Sequence, residues 1–195
     1  MALLQTISLE HLPESHTLHI ALYRNIRNAA FLHQQLLIGN SDFEYALIDS
    51  SVILSKIHIL AAAYRAVSDA LGDRLKTRNV HSEIAESFRR FGITPSTTSL
   101  LILKVAPASS APQISQHLST AIEGDAVVFG DEELRSLTDV ARVRKLYKLN
   151  GVGVGAGAGA KKGGVGGKDA KNDEDERKEL EVLVLGAMAL RGATN

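Results

Sequence analysis

The sequence has no cysteine among its 195 residues, which excludes disulfide bridges and thiolate metal sites. It has no net charge either, with 22 basic side chains balancing 22 acidic ones. A strongly cationic nucleic-acid binder is therefore excluded, although a local basic patch is not. No apolar run approaches the roughly twenty residues that a membrane-crossing helix requires. The opening MALLQTISLEHLPE lacks the basic and unbroken apolar regions of a signal peptide, so an intracellular protein is expected. No His-Glu-x-x-His arrangement joins the histidines at 11, 16, 19, 33, 58, 81 and 117, and no GxSxG-like elbow holds a serine. Neither a metal, nor a cofactor, nor a catalytic residue is expected.

What is present is enough apolar material, 45% of the chain, for one domain with a proper core. The stretch DSSVILSKIHILAAAYRAVSDALGDRLKTRNVHSEIAESFRRF, residues 49 to 91, reads as its anchor. Ile53, Ile57, Leu60, Tyr64, Val67 and Leu71 recur at helical spacing and predict one buried stripe. Asp49, Ser50 and Ser51 offer N-cap oxygens, and Gly72 stands where a left-handed C-terminal residue is wanted. A second helix is predicted over 81–91.

Ahead of the anchor, residues 2–9 and 17–23 predict two strands joined by a turn at HLPESH, because Pro13 cannot sit inside a paired strand. A helix follows from Asn25 to about Ile38, ended by Gly39-Asn40-Ser41-Asp42, and then a short strand over 45–48. Beyond the anchor, residues 97–105 read as a central strand and 113–122 as a helix. Helices and strands alternate, which predicts a single α/β (α+β) domain with helices packed on a small mixed β-sheet. That domain takes residues 1–150 and 173–195. Between them, residues 151–172 are glycine, alanine and charge, and read as a disordered insertion. A helix then restarts at Asp173 or Asp175, with Leu180, Leu183, Val184, Ala187, Met188 and Leu190 forming a wide apolar face.

In the glycine tract, Gly151, Gly153 and Ala156 fit a loose dinucleotide pattern, but no strand leads in and no helix follows at once. Lys168 is followed by Asp169, which breaks a phosphate-loop signature. A flexible loop is the better reading. His58 shares a helical face with Ala62, Arg65 and Asp69; a satisfied histidine at the core edge is favoured over a contact to an anionic ligand. Two basic clusters remain: Arg74, Lys76 and Arg78 with Arg89 and Arg90, and Arg142, Arg144, Lys145 and Lys148 around Tyr147. Such runs are commonly solvated faces, and they can also hold phosphates.

At SKIHILAAAYRA, then KTRNVHSEI and FGI, the sequence resembles the PRPK-binding protein family, the small kinase-binding subunit of the EKC/KEOPS complex. The likeness continues through STTSLLILKV and DVARVRKLYKL, and covers nearly all of the chain except residues 151–172. It implies helices packed on a small sheet, no catalytic activity, and residence in nucleus and cytoplasm without a membrane. It also implies membership of the complex that makes threonylcarbamoyl adenosine on tRNA. The partners implied are a kinase-like ATPase, the 3′ end of tRNA and, indirectly, the other subunits. On this reading Lys56, Arg74, Lys76 and Arg78 are the candidate tRNA-binding residues. Leu183, Met188 and Leu190 are the candidate kinase contacts, with the alternative that they cap the domain's own core. A stand-alone nucleotide-dependent enzyme and a homo-oligomeric structural protein stay open as rivals.

Overall fold

In the sequence TLHIALYR, residues 17–24, apolar side chains occupy both alternating sets of positions, so a strand made from it must be covered on both faces. A computed structural model, describing residues 2–88, 92–149 and 170–193, places this segment at the centre of the sheet. It forms strand β2 (Thr17–Arg24). Leu18, Ile20 and Leu22 enter one apolar cluster, while Ala21 and Tyr23 enter another on the opposite face. Strand β1 (Gln5–Ile7) pairs with it antiparallel, so the two opening strands form as expected. On its other side lies β4 (Leu100–Ala106), whose far edge carries β3 (Ala46–Asp49). A short β5 (Asp125–Val127) pairs with the end of β2. Every one of these pairings is antiparallel, where a mixed sheet was expected.

Helices cover both faces, giving three layers. Helices α1 (Ala29–Leu37) and α4 (Ala111–Ala121) bury Ala29, Leu32, Ile114 and Leu118 against one face. The other face receives α2 (Lys56–Leu71), α3 (Val80–Ser87), α5 (Asp131–Leu137), α6 (Val140–Leu146) and α7 (Ala170–Ala193). Gly39 ends α1 in the left-handed region at φ 69°, the conformation for which glycine is suited.

The anchor helix differs from its prediction in start and in face. Asp49 accepts hydrogen bonds from the Ser51 amide at 3.0 Å and the Ser51 hydroxyl at 2.7 Å, and this closes a 3-10 turn over residues 50–52 instead of capping a helix. The cap is Ser55, extended at φ −159°, whose Oγ accepts from the His58 amide. With that start, the buried face is His58, Ile59, Ala62, Ala63, Ala66 and Val67. The helix's close backbone neighbours are α3 and α7, and the bulkier Ile57, Tyr64 and Leu71 of the expected stripe turn outward. Ile53 is buried, but ahead of the helix.

At the other end, Gly72 has φ −97° and Asp73 takes the left-handed position at φ 53°. A Cβ at Gly72 would lie 2.1 Å from the Arg74 guanidinium, the movable end of an exposed side chain that folds back over it. Residues 151–169, including Gly151, Gly153, Ala156, Lys168 and Asp169, lie outside the described residues, as do Arg89 and Arg90. Residues 170–172, assigned to the insertion by sequence, instead open α7.

Candidate functional site

Helix α7 lies beside α2 and runs in the same direction. Near one end Arg177 donates to the Leu54 carbonyl, and near the other the Arg65 guanidinium donates to the Met188 carbonyl at 3.0 Å. Leu180, Val184 and Met188, spaced by four, are buried in the core, and Leu183 and Ala187 pack against it. Of the three candidate kinase contacts, Met188 thus faces inward, Leu183 is half-buried, and Leu190 is 67% exposed. The structure does not gather them on one outer surface.

Outward apolar side chains do lie along one side of α2. Ile57 is 52% exposed, Tyr64 41% and Leu71 48%, with Leu60 half-buried between the first two. Their helical spacing places them on one side, away from the buried alanines. Its N-terminal end opens into a cleft of about 490 Å³ bounded by Ile57 and Leu60 of α2, Asp131 and Arg135 of α5, and Arg177 and Lys178 of α7. Asp131 accepts from the Lys56 amide at 2.7 Å and so ties α5 to the first turn of α2. Sequence reasoning found these apolar residues but gave them to the core, because it read the helical period without the register that Ser55 sets.

The four candidate tRNA-binding residues separate into places with different employment. Lys56 opens α2, its ammonium 5.6 Å from the centre of the Phe129 ring. Arg74 lies past the far end of that sixteen-residue helix, roughly 24 Å away at 1.5 Å per residue. Its guanidinium bonds Asp69 at 3.1 Å and the Ser68 carbonyl, sitting on the carbonyl end of α2 where a cation is favoured. Glu83 accepts from the Lys76 and Thr77 amides, leaving the Lys76 side chain exposed. The Arg78 side chain, also exposed, lies beside Gly39 at the rim of a pocket between α1 and α3.

In the second basic run Arg142 pairs with Asp49 at 3.3 Å, and Tyr147 is buried. Tyr147 is there for His58. The Leu54 amide donates to His58 Nδ1 at 3.1 Å, so the ring proton sits on Nε2 and is donated to the Tyr147 hydroxyl 2.6 Å away. Burial pushes His58 from 6.5 down to about 3, so it is a neutral core residue. This is the structural role preferred from the sequence. Among the described residues, no group of three or more His, Cys, Asp or Glu side chains is placed to hold a metal ion.

Residues 23–192 match the profile of a family described as Kinase binding protein CGI-121. The chain is 47% identical over 203 residues to the EKC/KEOPS complex subunit cgi121 of Aspergillus fumigatus, covering 98% of each. It is 46% identical over 209 residues to the corresponding Coccidioides immitis subunit, with both chains fully covered. To the Schizosaccharomyces pombe subunit it is 32% identical over 142 residues, 68% of this chain and 82% of that one.

Proposed function

The chain belongs to the kinase binding protein CGI-121 family, and from that premise we propose that it is a non-catalytic subunit of an EKC/KEOPS complex. There it binds and tunes the kinase-like ATPase and helps bring tRNA to threonylcarbamoyl adenosine formation, in nucleus and cytoplasm. The observation that carries the kinase part is the outward apolar side of α2. Ile57, Leu60, Tyr64 and Leu71 form an unusually apolar surface for a helix that already buries its opposite side. Leu190 is exposed on the parallel α7, while Met188 is buried in the core and Leu183 packs against it.

Aspartate at positions 57 and 64 tests this. Both side chains are half exposed, so Ile57→Asp with Tyr64→Asp is expected to leave the thermal transition within a few degrees of the parent. Kinase affinity, measured by calorimetry, should fall at least a hundredfold, as for loss of a central interface anchor. Undiminished affinity would move the docking site off α2.

The tRNA part rests on Arg74, Lys76 and Arg78, with Lys56 peripheral because α2 holds it at the opposite end. The Arg74–Asp69 pair is exposed on the arginine side and worth about 0–1 kcal/mol, so reversing the charge costs little stability. Arg74→Glu with Arg78→Glu is expected to weaken tRNA binding and to flatten its salt dependence. Each lost phosphate contact removes roughly 0.7 to 0.9 from the slope of log K against log salt. An unchanged slope in filter binding would shift the site to Arg142, Arg144, Lys145 and Lys148.

A further inference from the structure

Where β2 ends and the chain approaches β4, hydroxyls crowd one opening of the surface. A pocket of about 350 Å³ is lined there by Thr94, Ser96 and Ser99 from the segment before β4, by Ser51 ahead of α2, and by the guanidiniums of Arg24 and Arg142. Ser99 lines it from a buried position, and its hydroxyl has no hydrogen-bond partner among the described residues. Arg24 pairs with Glu133 at 3.0 Å and Arg142 with Asp49 at 3.3 Å. The two arginine side chains are 42% and 39% exposed, and ion pairs so open to water are held weakly enough to exchange partners. A further carboxylate, Asp125, is taken up by the Asn25 amide at 2.7 Å.

Thr94 is the only serine or threonine in the sequence that is followed by proline; the other three prolines follow Leu12, Ala106 and Ala111. A proline disfavours the helical conformation of the residue before it, so Thr94 is presented extended. Thr94, Pro95 and Ser96 are all exposed. The Thr97 amide donates to the Thr94 carbonyl at 3.0 Å, closing a turn with proline at its second position that fixes the dipeptide at the edge of the pocket. The Thr94 hydroxyl meets only other hydroxyls, Ser96 Oγ at 3.1 Å and Thr97 Oγ1 at 3.2 Å. Both can turn to donate to a group added there.

We propose that Thr94 is a phosphorylation site for a proline-directed protein kinase, and that Arg24 and Arg142 of the same chain hold the added phosphoryl group. In the transfer, Thr94 Oγ1 attacks the γ-phosphorus of ATP and the bond from that phosphorus to the β–γ bridging oxygen breaks. ADP leaves, and the hydroxyl proton passes to the base of the modifying kinase. The product carries a charge of about −1.5 to −2 and three acceptor oxygens, which beside two guanidiniums form charge-assisted hydrogen bonds and order the loop that bears them. Such a clasp joins the segment before β4 to the end of β2 and to α6. None of Lys56, Arg74, Lys76 and Arg78 lines this pocket, nor does any residue of the outward side of α2.

The test incubates the full chain with ATP and a purified proline-directed kinase, locates the phosphate by mass spectrometry, and melts each product beside its unmodified form. One phosphate is expected at Thr94 and none in Thr94→Ala. It should raise the melting temperature by about 3–6 °C. In the double variant Arg24→Gln with Arg142→Gln, the difference between modified and unmodified forms should vanish, a comparison in which the cost of the substitutions themselves cancels. Absence of phosphate from Thr94 overturns the proposal. So does a modified chain that melts no higher than the unmodified one, or a rise that persists without the two arginines. Inorganic phosphate is the control: a rise of equal size in the unmodified chain would assign the pocket to a free anion instead.

Discussion

Between pH 6.5 and pH 4 the protein should lose roughly 6 kcal/mol of stability, a large part of the 5–15 kcal/mol that holds a typical domain folded. Two histidines are responsible. Burial lowers His58 from 6.5 to about 3. Burial, followed by the nearby Lys104 charge, lowers His81 to about 4 against an opposing hydrogen bond from the Val105 amide. The sign follows from which state takes the proton. A depressed histidine value means that the unfolded chain binds protons through pH 6.5 while the folded chain still refuses them. Stability therefore falls with falling pH across that window, by about 1.4 kcal/mol per pH unit for each histidine. His81 stops contributing near pH 4, and His58 continues towards pH 3. Protonation of His58 Nδ1 also removes the acceptor of the Leu54 amide. Urea titrations from pH 7 to pH 4 measure the slope directly. His81→Gln should halve it, and a flat profile would mean that both rings charge within the folded protein.

Truncation after Lys178 is expected to abolish the cooperative melting transition and kinase binding together. The deletion removes Leu180, Val184 and Met188 from the core, each worth roughly 1.5–3 kcal/mol of burial, and takes the acceptor of the Arg65 guanidinium with them. The sum, about 5–9 kcal/mol, matches the stability of an ordinary domain. Circular dichroism on the truncated chain distinguishes this from a dispensable docking helix, which would leave the melt in place. Leu190→Asp, at an exposed position, is the companion variant and is expected to lower kinase affinity with the melt unchanged.

The sheet was well marked in the sequence because its strands carry unambiguous apolar runs: residues 17–23 and 97–105 were expected, and β2 and β4 occupy 17–24 and 100–106. The helix over 113–122 was likewise found within two residues of its place at 111–121. α5 and α6 were missed as elements, for each is seven residues long and too short to show a period. The anchor helix shows the deeper difficulty. Counting by bulk chose Ile57, Tyr64 and Leu71 as interior, whereas the helix buries Ala62, Ala63 and Ala66 and lies close to α3 and α7. Alanine signals burial weakly in composition, because a small side chain gives up little apolar area when it is buried. The same three bulky residues, once outward, become the candidate docking surface. His81 was out of reach for another reason: its significance depends on partners brought from other elements by the sheet.

The antiparallel pairing of β2 with β4 fixes an order of events during synthesis. β2 is complete at residue 24, but its partner spans residues 100–106. At about 5–20 residues per second, the ribosome takes roughly 4–15 s to supply that partner. Throughout that interval a strand destined to be covered on both faces has only the three-residue β1 to pair with, and its apolar side chains are available to chaperones. α7 arrives later still, so Leu180, Val184 and Met188 close the core only after the other described elements have been made. A product stalled or cut short anywhere before them leaves an open apolar face exposed to the cell's proteases.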